Sequence, residues 1–349
     1  MDPNFCNGSV CFNQSAPMMN MKPDDWGFIF KVVVTPIIAL IGIVGNCLSF
    51  MVMKTRMLRE KSYSHYLCAL AVFDSLSLIA VQVKTTDELL YYLHKPSLFT
   101  YFTDAGCKLY VFTECMCYLM SSWLIVCMAQ ERLIVVFMPF KKHVLCTQRG
   151  AVVIILAIFV IMSYTQMFRL IMVTKIGDKC EGRPELSAIY TSLHVYFYQF
   201  ALCFILPILI VSICNISVLC KIRSVSRAMA DENSSSTRLT RGAARRHKTT
   251  MMLLTICFMY ITTLLPVITV TMIVFVYLNF YPIHAASVFV NITPWTHVAT
   301  VVSQINYAAN FFIYVVSGKN FRVELRRIFS RERGSNLNSS KTREEIMLL

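Results

Sequence analysis

Seven long apolar runs, nearly free of charge and separated by short polar segments, restrict this 349-residue chain to very few folds. They are Phe28–Met53, Tyr63–Val83, Asp104–Phe137, Ala151–Val173, Leu193–Cys220, Met251–Tyr277 and Thr296–Val316. A helix needs about 20 residues to cross the hydrocarbon core of a bilayer, and each run suffices. Backbone groups find no water in lipid, so runs of this kind must be helices. Barrel strands would be shorter and strictly alternating. Only 15% of the residues are charged and 56% are hydrophobic, whereas a soluble domain is about 25% charged. The expected fold is therefore an all-α membrane protein, a seven-transmembrane helix bundle.

The basic residues set the orientation. Of 33 Lys and Arg, 24 fall in the segments 54–61, 132–149 and 221–248 and in the tail from Lys319, which places those segments on the cytoplasmic side. The N-terminus and the segments around 84–106, 169–190 and 278–295 are then outside, and the chain is expected in the plasma membrane. Residues 1–25 are polar and carry no apolar signal core, so the first run is expected to stay as an anchor. Asn7 and Asn13 open sequons on the outer side and are candidate glycosylation sites. Cys6 and Cys11 are candidates for a small disulfide loop. The net charge of +14 lies in loops rather than along an aromatic-lined groove, which argues against nucleic acid as a partner. After the seventh run, Phe321, Leu325, Ile328 and Phe329 share one face of a helical pattern, with Arg322, Arg326 and Arg327 elsewhere. That pattern fits a short amphipathic eighth helix lying on the inner leaflet of the lipid bilayer. The expected organisation is an outer tail 1–27, a seven-helix domain 28–317, the amphipathic helix 318–330 and a cytoplasmic tail 331–349.

Charges inside lipid are costly and mark candidate sites. Asp74 has no Lys or Arg near it in its span. Ser121, Asn306 and Asn310 are candidate neighbours, and the set suits either a sodium ion or a hydrogen-bonded structural network. Cys107, Glu114 and Ser121 recur every seven residues, so they form one stripe facing the bundle interior. Glu114 is expected at the floor of an outward-opening cavity, with Tyr110 and Tyr118 nearby and Lys84, Asp87 and Glu88 at its rim. Glu114 would either pair with Lys84 or meet a cationic group on a ligand. Cys107 and Cys180 both face an oxidising space, where a disulfide is allowed. Glu131-Arg132 ends the third run as an adjacent acid and base.

Taken together and in order, these positions resemble the rhodopsin-like G-protein-coupled receptors over about residues 28–330. Gly45-Asn46, Asp74, the Cys107 and Cys180 pair, Glu131-Arg132-Leu133, Pro207, Pro266 and Asn310-Phe-Phe-Ile-Tyr314 each match a family motif in its proper helix. The resemblance implies a Cys107–Cys180 disulfide and an allosteric sodium pocket of Asp74, Ser121, Asn306 and Asn310. It also implies that Glu131, Arg132, Pro207, Pro266, Asn310 and Tyr314 take part in activating a heterotrimeric G protein; separately, Ser330, Ser335, Ser339, Ser340 and Thr342 make the tail either a phosphorylated arrestin-recruiting segment or a plain disordered one. The departures are specific. Leu133 replaces the motif tyrosine, Phe311 replaces the helix-seven proline, and Thr263-Leu-Leu-Pro266 lacks the helix-six tryptophan. Asn215 stands where a helix-five tyrosine is usual, and Arg246 replaces an acid at the start of helix six.

The second inner loop is similar to that of invertebrate neuropeptide receptors of the FMRFamide and thyrotropin-releasing-hormone type. A peptide ligand is therefore expected, with Glu114, Lys84, Asp87, Tyr110 and Tyr118 as contacts and an acidic rim of Asp87, Glu88, Asp104 and Glu114 favouring a cationic group. Lys84, Arg169 and Lys175 oppose that electrostatic reading. An amine or chemosensory receptor, a non-signalling decoy and a transporter are the alternatives. There is no HExxH, GxSxG or phosphate-binding glycine loop, so no enzymatic activity and no required cofactor are expected.

Overall fold

Each apolar run winds into a helix in the computed structural model, which describes residues 25–231 and 237–330. Helix α1 spans Trp26–Met53, α2 Ser62–Tyr92, α3 Asp104–Phe137 and α4 Gln148–Gln166. A short turn of helix, Phe168–Met172, leads into a hairpin of β1 (Val173–Ile176) and β2 (Lys179–Gly182). Helix α5 runs from Ser187 to Asp231 and is wound as a π-helix over Leu193–Ile205. Helix α6 is Thr237–Phe280. Helix α7 is Pro282–Ala308, continued beyond a 48° bend by Asn310–Ser317. Helix α8 covers 319–330. Six helices are long and apolar enough to cross a bilayer, and the bent α7 pair makes the seventh span. Asp25, Thr103 and Thr147 cap α1, α3 and α4 by accepting from the amides of Phe28, Gly106 and Gly150. Each such cap is worth about 1 kcal/mol.

Helix α3 is the hub. It packs against α2, α4, α5 and α6, while α1 packs against α2 and α7, and α6 against α7. The most apolar stretch of α3 is 72% buried, against 17% for that of α4, so α3 is the central helix and α4 a peripheral one. Leu40, Val153, Val160 and Ile213 are among many large apolar side chains left exposed around the bundle. So wide an apolar surface suits lipid and would be unusual in water. Helix α1 approaches α7 through Gly27 and Gly45. A Cβ at Gly27 would lie 2.3 Å from the Pro294 carbonyl oxygen, and one at Gly45 would lie 2.9 Å from Phe311 Cβ. Only glycine admits that approach.

Several boundaries differ from those expected. Helix α2 continues nine residues past Val83, because Lys84, Asp87 and Glu88 find partners in the fold rather than ending the helix. Helix α7 begins at Pro282 rather than Thr296, with proline at a first helical position, where its missing N–H costs nothing. The segment 221–248, expected as a loop from its charge, is helical to Asp231 and again from Thr237. Its Ala, Arg, Lys and Met are good helix formers in water. The fourth span breaks at Met167 instead of reaching Val173, and the hairpin that follows is the exception to an otherwise helical bundle among the described residues. Asn7, Asn13, the Cys6 and Cys11 pair and the tail 331–349 lie outside the described residues.

Candidate functional site

Three polar clusters interrupt the apolar interior, and each hangs on α3. The first lies at the end of the bundle that carries the disulfide. Cys107 on α3 is bonded to Cys180, which pairs with Lys175 in the hairpin register. Asp104 at the start of α3 accepts from Thr174 Oγ1 at 2.7 Å and from the Lys175 amide at 3.0 Å, and pairs with Lys108 at 2.5 Å. Lys175 Nζ donates to the carbonyls of Thr100 and Phe102 at 2.6 and 2.8 Å. The hairpin is thus tied across this end by one covalent and several polar bonds.

Beneath it, Glu114 is buried at 3% side-chain exposure and pairs with Lys84 Nζ at 2.5 Å, while Lys84 stays 52% exposed. The pair thus joins a half-exposed lysine to a buried carboxylate. Tyr118 donates to Glu114 Oε1 at 3.3 Å and stacks on Tyr307. Tyr110 donates to the Ala80 carbonyl and packs with Phe99 and Phe102. Asp87 does not join this group. It accepts from Ser97 Oγ at 2.7 Å and the Leu98 amide at 2.8 Å, holding the 97–101 turn. Glu88 pairs with the buried Lys31 at 2.5 Å. Three of the four carboxylates expected as an acidic rim are neutralised by lysines and Asp87 accepts only from neutral donors, which weakens the electrostatic case for a cationic ligand that rested on them.

Sequence reasoning counted Arg169 only as an outer-loop charge. It is fully buried. Its Nε donates to Gln166 Oε1 at 2.9 Å, and Nη1 reaches Tyr190 Oη at 3.2 Å and His194 Nδ1 at 3.0 Å. The rings of Tyr198, Phe168 and Tyr190 surround the guanidinium at 4.4, 4.8 and 5.9 Å. The available signal was a charge inside the expected fourth span, three residues after Gln166.

The second cluster lies at mid-depth. Asp74 is fully buried and accepts from Ser121 Oγ at 2.5 Å and Asn310 Nδ2 at 2.6 Å. Asn306 contributes its carbonyl, 3.5 Å from Asn310 Nδ2; among the described hydrogen bonds its side chain makes none to Asp74. Asn46 Nδ2 donates to the Tyr307 carbonyl at 3.1 Å. Two consecutive carbonyls of α7 thus accept side-chain amides immediately before the bend at Ala309. Such insertion into a helical ladder is a known cause of sharp kinks. The bend exists although Phe311 stands where a proline was the motif residue.

Between the first and second clusters, Pro207 shapes α5. Proline has no N–H, so it cannot serve the carbonyl four residues back in an α-helix, or five back in a π-helix. Those are the carbonyls of Cys203 and Leu202. Tyr260 of α6 donates to the first at 3.2 Å and Trp123 of α3 to the second at 3.0 Å. Pro266 lies inside α6.

The third cluster lies at the opposite end from the disulfide. Glu131 and Arg132, both buried, form an ion pair. Ser62 Oγ donates to Glu131 Oε1 at 2.9 Å, and the Arg132 guanidinium sits 5.4 Å from the Tyr63 ring centroid. Tyr314, also buried, packs against Phe321 of α8. Arg322 donates to the last carbonyls of α7, those of Val315 and Val316, at 2.8 and 2.6 Å.

A family model described as 7 transmembrane receptor (rhodopsin family) matches residues 45–314. No individual curated protein matches the chain significantly.

Proposed function

The chain belongs to the rhodopsin family of seven-transmembrane receptors, and we propose that it binds an extracellular neuropeptide and activates a heterotrimeric G protein. In this reading the disulfide end faces outward and the Arg132 end lies in the cytoplasm. The excess of Lys and Arg at that end supports this orientation. The ligand enters from the exposed side of Lys84 and meets Glu114, Tyr110 and Tyr118, while Asp87 shapes the rim through the 97–101 turn.

The observation that carries the coupling half is the Glu131–Arg132 pair. A buried guanidinium held by its neighbouring carboxylate, and by nothing on α6 among the described residues, is a contact that a partner can take over. Agonist acts by favouring the state in which Arg132 is released, through whatever difference in affinity it has for the two states. Tyr314 and Asn310 lie on the segment of α7 beyond the bend, which can swing about Ala309. Pro207 and Pro266 give α5 and α6 their own points of give. Asp74, Ser121 and Asn310, with Asn306 one turn away, form the sodium pocket, since a fully buried carboxylate with only neutral donors attracts a small cation. The Cys107–Cys180 bond holds the outer hairpin, Asn7 and Asn13 carry glycans, and the serine-rich tail recruits arrestin.

The test is a calcium and cyclic-AMP screen of cells expressing the chain against amidated neuropeptides, with biogenic amines as controls. A saturable response to one peptide, lost in Arg132→Ala at unchanged surface expression, is the expected result. A response to amines alone, or full signalling by Arg132→Ala, would refute the corresponding half.

A further inference from the structure

Three cations are buried among the described residues: Lys31, Arg132 and Arg169. Lys31 has Glu88 and Arg132 has Glu131. Arg169 has no carboxylate within ion-pair distance. Its partners are an amide, a phenol and an imidazole, and its Nη2 is buried with no partner at all. Arginine cannot shed its proton to escape this position. Removing an ion from water costs several kcal/mol even after relaxation, and neutral contacts return only part of that.

We propose that Arg169 is an anion-binding anchor of the ligand site, taking a carboxylate carried by the ligand. The proposal rests on the receptor reading above and names the charge of its ligand. Arg169, Glu114 and Lys84 all lie within electrostatic reach of Cys115. Lys84 and Glu114 cancel one another, whereas Arg169 has no carboxylate to offset it among the described residues. An anionic group neutralises it, whereas a cation would add to it.

The geometry also fits. A guanidinium binds a carboxylate best through two parallel N–H donors. Nη2 makes no hydrogen bond, and Nη1 is held by Tyr190 and by the half-buried His194. A carboxylate that displaces His194 from Nη1 meets both nitrogens. The aromatic walls of Phe168, Tyr190 and Tyr198 keep water away and so strengthen the pairing. Tyr190, Tyr198 and His194 all lie on α5, so the same event pulls on the helix that carries Pro207.

The test uses the full-length receptor in lipid nanodiscs and its thermal stabilisation by four probe sets. These are short phenylalanine-ending peptides as free acids, the same peptides as carboxamides, carboxamides with an internal aspartate against their asparagine twins, and benzoate. The expected result is that one acidic member binds about 10- to 100-fold more tightly than its neutral twin, as for a hydrogen-bonded charge pair, and that Arg169→Gln abolishes the difference. The first two sets together identify a terminal carboxylate, the third a side-chain carboxylate and benzoate a free small acid. Equal binding of acids and neutral twins overturns the proposal, as does an acid preference that survives Arg169→Gln. Where that variant fails to reach the membrane, Arg169→Lys replaces it: it keeps the charge, loses the fork, and must bind the acid about tenfold more weakly. Undiminished acid affinity in Arg169→Lys overturns the proposal. Stabilisation by benzoate alone, lost in the variant, would refute the peptide reading while supporting the anion site; no stabilisation by any probe would refute both.

Discussion

Lys84 and Glu114 form one ion pair, yet removing either partner should have very different consequences. Glu114 is 3% exposed and Lys84 52% exposed. Lys84→Met leaves a buried carboxylate with only the Tyr118 hydroxyl at 3.3 Å to stabilise it. Removing one partner of a buried pair in this way costs about 3 kcal/mol. Glu114→Gln leaves a lysine that is already half in water and keeps an acceptor for Tyr118. The loss there is about 1 kcal/mol, the scale of a solvent-exposed pair. Lys84→Met combined with Glu114→Gln restores a neutral, hydrogen-bonded site and should again cost about 1 kcal/mol. The coupling energy is then about 3 kcal/mol, far above the additive expectation for independent sites. At about 2 °C per kcal/mol for a chain of this size, the single variants should lower the apparent melting temperature by about 6 °C and 2 °C. Thermal unfolding of purified receptor in nanodiscs, without ligand, reads all three variants. Equal losses in the two single variants, or a double variant worse than Lys84→Met, would show that the exposure difference does not govern this pair.

Tyr260→Phe should destabilise the receptor by about 1 kcal/mol by orphaning the Cys203 carbonyl. Thermal unfolding in nanodiscs checks it, and an unchanged melting temperature would show that the Cys203 carbonyl has another donor. Asp74→Asn should remove any sodium dependence of agonist affinity, since the amide no longer offers a charge to the ion; radioligand binding with and without sodium decides it. Phe311→Pro should cost no more than about 1 kcal/mol beyond Phe311→Ala, because α7 already bends there, against about 3 kcal/mol for proline in an unbroken helix. A full helix-breaking penalty in melting experiments would place the bend's cause elsewhere.

The seven spans and the Cys107–Glu114–Ser121 stripe were legible because they depend on local periodicity and on the absence of charge. Asp74 was legible for the same reason, as a charge with no sequence neighbour to pair with. The extension of α2 beyond Val83 was not, because the partners that make its charges tolerable come from α1, α3 and the 97–101 turn. The fate of the acidic rim failed likewise: composition gives four acids, but only the fold shows that Lys31, Lys84, Lys108 and two backbone amides consume them. Arg169 was only partly legible: its place inside the expected fourth span, three residues after Gln166, was the one local signal, while its phenol and imidazole neighbours lie more than twenty positions away.

The departures from the family motifs at helices six and seven lend some weight to the alternative of a non-signalling chain. Two of them carry less weight once the side chains are placed. A proline at position 311 would bend α7 by withholding an N–H; here Asn46 and Asn310 direct amides at the carbonyls of Tyr307 and Asn306, and the 48° bend is present. The tryptophan missing from helix six would have been one link between α6 and its neighbours. Tyr260, one turn before Leu264, makes such a link by donating to the Cys203 carbonyl of α5. Both substitutes are polar contacts between helices, each worth about 1 kcal/mol, and contacts of that size can be exchanged without unfolding the bundle. A decoy that had lost its moving parts would have no reason to keep such exchangeable bonds at the bend of α7 and between α5 and α6. At both positions a polar contact between helices thus stands where the motif residue is missing, and the loss of the motif residue alone does not argue for a non-signalling chain.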